Sequence, residues 1–270
     1  MIGILTTLAV LGLAVFVHEL GHFLMMRRNG IQVDEFSIGF GPKVFSWVGR
    51  NGTTYNLRAL PLGGFVQPRQ NGPTSMAEAK PWVKFKVAIA GSVMNALFAM
   101  VALIIMIVVH PSFPLLHHPW IVWLPESLRP AAMVFVFSFG LTVATPPFFF
   151  YLLVTRFLAL MGGMAGPIGI LQMGSRIGHG GEMSAGVIFI AALYFFWFIN
   201  VGLGGFNLMP LFPLDGGHCM RALLEKLGAK PTGRIIQWFS LITATLMIIL
   251  VILICGIDIL RLSGFIAPLG

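Results

Sequence analysis

Val15-Phe16-Val17-His18-Glu19-Leu20-Gly21-His22-Phe23-Leu24-Met25-Met26 is the stretch on which the reading of this chain turns. From Ile2 to Met26 no ionisable side chain occurs other than His18, Glu19 and His22. A charge at the centre of a membrane helix costs on the order of 2.5–3.5 kcal/mol, so polar groups in such a run mark a function. The spacing is H-E-x-x-H. On a helix it places two imidazoles on one face, four residues apart, with a carboxylate beside the first. That is the arrangement of a hydrolytic zinc site, here inside an apolar segment.

The surrounding composition agrees with a bilayer setting. The 270 residues are 57% hydrophobic and 10% charged, with a mean hydropathy of +0.90, against roughly 25% charged in a soluble domain. The fold class expected is an all-α polytopic membrane protein, a single membrane-embedded domain over residues 1–270. The start MIGILTTLAV has no basic n-region and no A-x-A-like cleavage site, so it reads as a retained first helix. The formal charge is +8, unevenly spread. Of 17 Lys and Arg, nine lie between Arg27 and Lys86 and four between Arg221 and Arg234. Under the positive-inside rule both rich segments are cytoplasmic. This basicity is explained by orientation and contact with the lipid bilayer, and no nucleic acid partner is expected. Cys219 and Cys255 fall at opposite ends of a predicted span and read as ordinary apolar residues, not a disulfide.

Four core spans are expected at about 2–26, 86–109, 184–208 and 235–257, each near the ~20 residues that cross hydrocarbon. With the basic loops inside, both termini lie outside. The apolar segment 131–161, interrupted by Pro146-Pro147, must then cross zero or two times. Proline removes helix hydrogen bonds, so a kinked segment with zero full crossings is expected. Between the first two spans, Lys43–Val48 and Thr53–Leu60 flank Gly49-Arg50-Asn51-Gly52. Asn-Gly between such runs signals a hairpin. Pro61-Leu62-Gly63-Gly64 is expected to break its second strand. A small membrane-associated β-hairpin at about 39–66 follows.

His18 and His22 can grip one metal, and a catalytic zinc has three protein ligands plus water. Glu19 stands where a general base for that water belongs. The third ligand is sought in Asn207-Leu208-Met209-Pro210-Leu211-Phe212-Pro213-Leu214-Asp215-Gly216-Gly217-His218. Asp215 is the acidic residue near the inner end of the third span. His18 and His22 lie within nine residues of Arg27, about 13 Å or less at 1.5 Å per residue, so charge and motif put all three at similar depth. The competing role for Asp215 is a helix N-cap.

HELGH on the first span, with Asn207-x-x-Pro210-x-x-x-x-Asp215-Gly216 after the third, resembles the site-2 proteases, intramembrane zinc metalloproteases. Gly39-Phe40-Gly41-Pro42 and Leu60-Pro61-Leu62-Gly63-Gly64-Phe65 are similar to that family's membrane-associated β-loop. Ala90-Gly91-Ser92-x-x-Asn95 resembles the start of its second core helix, and Gly166-Pro167-Ile168-Gly169-Ile170 a stretch before its third. The pattern is nearest the bacterial envelope-stress branch. The resemblance implies zinc (Zn2+) as cofactor, with His18, His22 and Asp215 as ligands and Glu19 as catalytic base. It implies that Asn207 holds substrate or the oxyanion, and that Pro210 is a substrate-binding residue, since Pro210 and Pro213 keep their segment unwound so that its free backbone groups meet substrate. It also implies that the β-loop holds an unwound substrate by strand addition, with Thr53–Leu60 as the edge and Tyr55 and Leu57 as substrate-binding residues. His218 follows the motif but reads as supporting rather than ligating. His110, His117, His118 and His179 are expected at the outer surface.

That branch usually carries PDZ domains between its second and third spans. None fits between residues 110 and 183, so a PDZ-bearing or other adaptor is a possible partner. The expectation is an endopeptidase of the bacterial cytoplasmic (inner) membrane that cuts single-span membrane proteins near the cytoplasmic side. The alternatives are a membrane zinc-binding or transport protein, and an inactive scaffold. Spans two and four hold almost no polar ligands, which counts against transport, and an intact Glu19 counts against a scaffold.

Overall fold

A computed structural model describes residues 2–109, 128–155 and 185–263. The elements in order are helix α1 (Ile2–Arg28), strands β1 (Val33–Val48) and β2 (Thr54–Pro68), and helix α2 (Pro81–Val109). Then come α3 (Arg129–Val134), a π-helical run Phe135–Gly140, α4 (Leu141–Thr155), α5 (Ala185–Asn207), α6 (Asp215–Lys226) and α7 (Arg234–Leu262). Five helical stretches are long and apolar enough to cross a membrane: Gly3–Arg28, Pro81–Val109, Pro130–Phe148, Ala185–Asn207 and Arg234–Leu260. The protein is a multi-pass helical membrane protein with a β-hairpin.

The centre is α1, α2 and α5. Lipid tails are as apolar as leucine, so helices associate in a bilayer where small residues let backbones approach. Ala14, Ala99 and Ala102 are buried at this seam beside Leu103, Met106 and Trp197. Deeper toward the site, a Cβ on Gly21 would stand 2.4 Å from the Ala90 carbonyl oxygen. Only glycine permits that approach of α1 to α2.

Segment 129–155, expected as a kinked piece with no full crossing, contains a stretch, Pro130–Phe148, long and apolar enough to cross a membrane. It is helical throughout, and Pro146 and Pro147 lie inside α4 without ending it. Pro146 leaves the Thr142 carbonyl without its helical N–H, and that oxygen lies against α5, 3.0 Å from where a Cβ on Gly205 would stand. Thr142 Oγ1 and Thr145 Oγ1 donate back to Ser138 O (2.7 Å) and Leu141 O (2.8 Å) in the preceding turn. Packing of a neighbouring helix against the freed backbone is one way a membrane helix tolerates proline. Met133 and Val134 join the cluster around Phe195 and Met106. Trp197 Nε1 donates to Ser138 Oγ, and Gly204 and Gly205 abut Thr142 and Thr145. The contacts advance together, so this helix runs alongside α5 in the same direction from Ser138 to Thr145. Residues 156–161 of the expected segment, Gly166–Ile170 and the four outer histidines lie outside the described residues.

The hairpin also differs from expectation. Its turn forms at Gly49–Thr53 as the Asn-Gly signal predicts, with Gly49 N–H donating to Thr53 O. Yet Pro61–Gly64 does not end β2, which continues to Pro68 through a series of register shifts. Both strands therefore bend, and the first part of β1 gains two neighbours. Phe36 pairs with Tyr55 and with Val66, and Ser37 with Asn56 and with Phe65. Phe36 packs edge-on against Phe16 and Phe23 of α1. The far end exposes Phe40, Val44, Phe45, Trp47 and Leu60, which suits a lipid environment.

Helix α6 is short and amphipathic. It is tied to the start of α2 by Lys84 Nζ–Glu225 Oε2 at 2.8 Å. Cys219 and Cys255 are both free thiols, and burial pushes the Cys219 thiol up to about 12. It is therefore an inert packing residue, as read from sequence.

Candidate metal centre

Three elements build the site. His18 and His22 project from one face of α1, as their spacing requires. Asp215 is the first residue of α6, after Leu214, where the helix N-terminus favours a carboxylate. The two glycines that follow have a steric reason. A Cβ on Gly216 would stand 2.2 Å from the Leu208 and Met209 carbonyl oxygens, and one on Gly217 would stand 2.6 Å from the Phe212 nitrogen. The segment leaving α5 folds directly over the start of α6, and Asp215 is turned back toward α1.

The ligand atoms converge. Asp215 Oδ2 is 3.0 Å from His18 Nε2 and 3.2 Å from His22 Nε2, and the two Nε2 atoms are 3.2 Å apart. Tetrahedral zinc with bonds of about 2.0–2.1 Å separates its N and O ligands by about 3.3 Å. The tautomers agree with that use. His18 Nδ1 is 3.0 Å from Asn95 Oδ1, and His22 Nδ1 is 2.8 Å from Val87 O. Both are acceptors, so both Nδ1 atoms carry the proton and both Nε2 atoms present lone pairs. Three acceptors then face one another in a buried place, and among the described residues Asp215 Oδ2 has no hydrogen-bond donor. Such a cluster repels itself unless a cation lies between its members. The three residues fit a zinc ion, and they are the metal-capable cluster found among the described residues.

Helix α2 is the base of the site, through a single stripe at Val87, Gly91 and Asn95. A Cβ on Gly91 would stand 2.5 Å from His22 Nε2 and 2.8 Å from His18 Nε2. Sequence reasoning gave this stripe no role in metal binding. Its legible signals were a glycine and a lone asparagine four residues apart in an apolar helix.

Glu19 lines the same cavity, of about 670 Å³, together with Asn207, Phe65, Val66 and Pro213. A Cβ on Gly64 would meet Glu19 Cγ at 3.1 Å and Val15 Cγ1 at 3.2 Å. Gly64 thus lets β2 lie against the base-bearing turn of α1. Asn207 ends α5 and donates from Nδ2 to Leu203 O, while its side chain borders the cavity. His218 borders the cavity too and packs edge-on against Phe212, outside the three-residue cluster. Pro210 lies in the segment that covers α6 and does not border the cavity.

Tyr55 and Leu57 are not brought to the site. Thr54–Leu57 has Glu35–Ile38 on one side and Phe45–Val48 on the other. Its backbone groups are taken up in pairing, so it is not an edge that can receive another strand. Tyr55 instead stacks on Trp47 at 5.0 Å and packs on Phe23 of α1, and Leu57 is an exposed apolar side chain of the hairpin. The strand segment beside the cavity is Phe65–Pro68.

Several bacterial proteins are similar over part of the chain. A Streptococcus pneumoniae protein named as a zinc metalloprotease is 54% identical over 67 residues, 25% of this chain and 16% of that protein. A protease of Enterococcus faecalis named eep is 46% identical over 84 residues, 31% of this chain and 20% of that one. A Rhizobium meliloti protein named as a zinc metalloprotease is 38% identical over 114 residues, 35% and 30% of the two chains. In each case the matched part is less than a third of the relative's own length. The model of peptidase family M50 matches residues 6–253, which takes in α1 with its two histidines, the hairpin, the α2 stripe and Asp215. This chain belongs to peptidase family M50, the zinc-dependent site-2 protease family.

Proposed function

We propose that this protein is an intramembrane zinc endopeptidase that hydrolyses peptide bonds in transmembrane segments of other membrane proteins. The convergence of His18, His22 and Asp215 at 3.0–3.2 Å, with both histidines on a helix of membrane-spanning length, carries the reading. A zinc ion held by these three supplies Lewis acidity to the scissile carbonyl and the attacking water. Glu19 takes the proton released by that water and delivers it to the leaving amine nitrogen as the C–N bond breaks. Asn207 borders the cavity, where its amide serves as a donor toward the developing oxyanion.

A substrate helix hides its peptide groups in internal hydrogen bonds and has to be held extended before it is cut. The Phe65–Pro68 part of β2 pairs with β1 on one side and borders the cavity on the other. It is the edge suited to strand addition, in place of Thr53–Leu60. The basic segments Arg27–Lys86 and Arg221–Arg234 support a bacterial cytoplasmic membrane with the site toward the cytoplasm. Single-span proteins are the substrates, and an adaptor supplies the selection that a PDZ domain would give.

The test is reconstitution with a single-span substrate. Glu19→Gln should retain zinc and lose about 10²–10⁴-fold in cleavage rate; unchanged cleavage would overturn the assignment. A cysteine at position 65 should crosslink to a cysteine in the bound substrate, and one at position 57 should not. The reverse pattern would remove β2's cavity side as the docking edge.

A further inference from the structure

We propose that Asn95 is a positioning residue for the metal centre, holding His18 in the one tautomer and ring orientation in which Nε2 can bind the ion. This rests on the reading of His18, His22 and Asp215 as the ligand set. Asn95 is fully buried in the middle of α2, and its Oδ1 lies 3.0 Å from His18 Nδ1. An imidazole has two nitrogens, and the neutral ring carries its proton on either. A proton on Nε2 would point into the ligand cluster and exclude the metal. An acceptor at Nδ1 removes that choice. For His22 the acceptor is the Val87 backbone carbonyl, which is present whatever the side chain. For His18 it is a side chain, so this half of the arrangement depends on residue type.

Two further observations favour this role over generic polar packing. Among the described residues Asn95 Nδ2 has no partner. A buried amide with one end unpaired costs stability, so the residue does not stand there to reinforce the α2–α5 seam. Asn200, the buried asparagine of α5, also leaves one amide end unpaired among the described residues, its Oδ1, but its other end bonds its own helix at Phe196 O, whereas the one bond Asn95 makes goes to a ligand histidine. Asn95 is also clamped from behind. A Cβ on Gly204 of α5 would stand 3.2 Å from Asn95 Cβ and 3.3 Å from Ser92 O. The backbone of α5 thus closes on Asn95 and leaves its amide little room to turn away from His18. Outer partners of this kind fix a ligand histidine and change metal affinity about 10–100-fold when lost.

The experiment measures zinc affinity of the purified full chain by chelator competition, the visible spectrum after Co2+ loading, and the thermal midpoint of the metal-free protein. Asn95→Leu should weaken zinc about 10–100-fold and shift the Co2+ bands, with the metal-free midpoint no lower than wild type. Asn95→Asp keeps an acceptor at Nδ1 and should restore the affinity. Wild-type affinity in Asn95→Leu, or equal loss in both variants, would overturn the proposal. If the leucine variant does not fold, Asn95→Ala against Asn95→Asp decides the same question. Failure of the underlying ligand assignment looks different, because the wild type would then take up no zinc.

Discussion

Replacing Gly91 with alanine adds one methyl group, and the structure gives that methyl two opposite consequences. In a helix interior alanine is favoured over glycine by about 0.8–1.0 kcal/mol, so by local propensity Gly91→Ala stabilises α2. At this position, however, the Cβ would stand 2.5 Å from His22 Nε2, 2.7 Å from His18 Cε1 and 2.8 Å from His18 Nε2. Non-bonded carbon contacts settle near about 3.5 Å, so both imidazoles must retreat by most of an ångström. Ligand distances tolerate only about 0.2 Å, and the Nδ1 contacts to Asn95 and Val87 leave the rings no free direction. The expected result is a loss of zinc affinity beyond the roughly 100-fold upper end for outer-shell changes, with metal-free thermal stability equal to or modestly below wild type, because about 1–3 kcal/mol of overpacking opposes the helix gain. Gly202→Ala is the control, since nothing lies within 4 Å of a Cβ there; it should leave zinc binding unchanged. Chelator competition and thermal unfolding of the metal-free protein read the two effects separately. Wild-type zinc affinity in Gly91→Ala would refute the placement of α2 beneath the ligands.

Other consequences follow from charges outside the metal cluster. Lys84 and Glu225 form a 2.8 Å pair between α2 and α6, with only 6% of the Glu225 side chain exposed. Lys84→Met leaves that carboxylate buried and unpaired, and should destabilise the protein by about 3–5 kcal/mol. Lys84→Met with Glu225→Leu should recover most of the loss, and additive thermal shifts would rule out the pairing. Glu35 in β1 accepts from Ser37, Asn56 and Arg58. Burial opposes its ionisation, but these bonds prevail and hold its carboxyl below the ordinary 4.5. Because the folded value is the lower one, its contribution is complete above about pH 4.5 and is lost as pH falls through the depressed value. Protease resistance of the hairpin should fall with acidification in wild type and vary less with pH in Glu35→Gln; parallel curves would exclude Glu35 as the acid-sensitive tie.

Much of this protein is visible in local pattern because the bilayer allows so few solutions. Every backbone polar group must be satisfied within its own element, so apolar runs of about 20 residues become helices, and α1, α2, α5 and α7 fall where hydropathy puts them. HELGH is equally local: a helix sets His18 and His22 on one face whatever surrounds it. Pro146-Pro147 misled, because proline signals a break by its own chemistry. Whether the helix survives depends on packing, here of Thr142 and Thr145 against Gly204 and Gly205 of α5. Pro61–Gly64 misled for a related reason: the strand bends there and continues, held by β1 on its other side. Tyr55 and Leu57 looked available because a hairpin has two edges. The bend in β1 covers one of them and presents Phe65–Pro68 to the cavity instead.

By itself the sequence determined that the chain is a membrane protein with spans near these places, that two histidines and a glutamate share one of them, and that Asp215 is the acidic group fit to join them. These follow from composition and from spacings within single elements, which the helix repeat turns into faces. Tertiary structure alone decided that the three ligand atoms meet within 3.2 Å, and that α2 supplies the acceptors that turn both Nε2 atoms inward. It also decided which strand segment borders the cavity. Those facts depend on how closely α1, α2, α5 and the start of α6 can approach. That closeness is set at Gly21, Gly91, Gly204 and Gly216 by the absence of a side chain, and a missing methyl group shows its meaning only when the neighbour that would have met it is known.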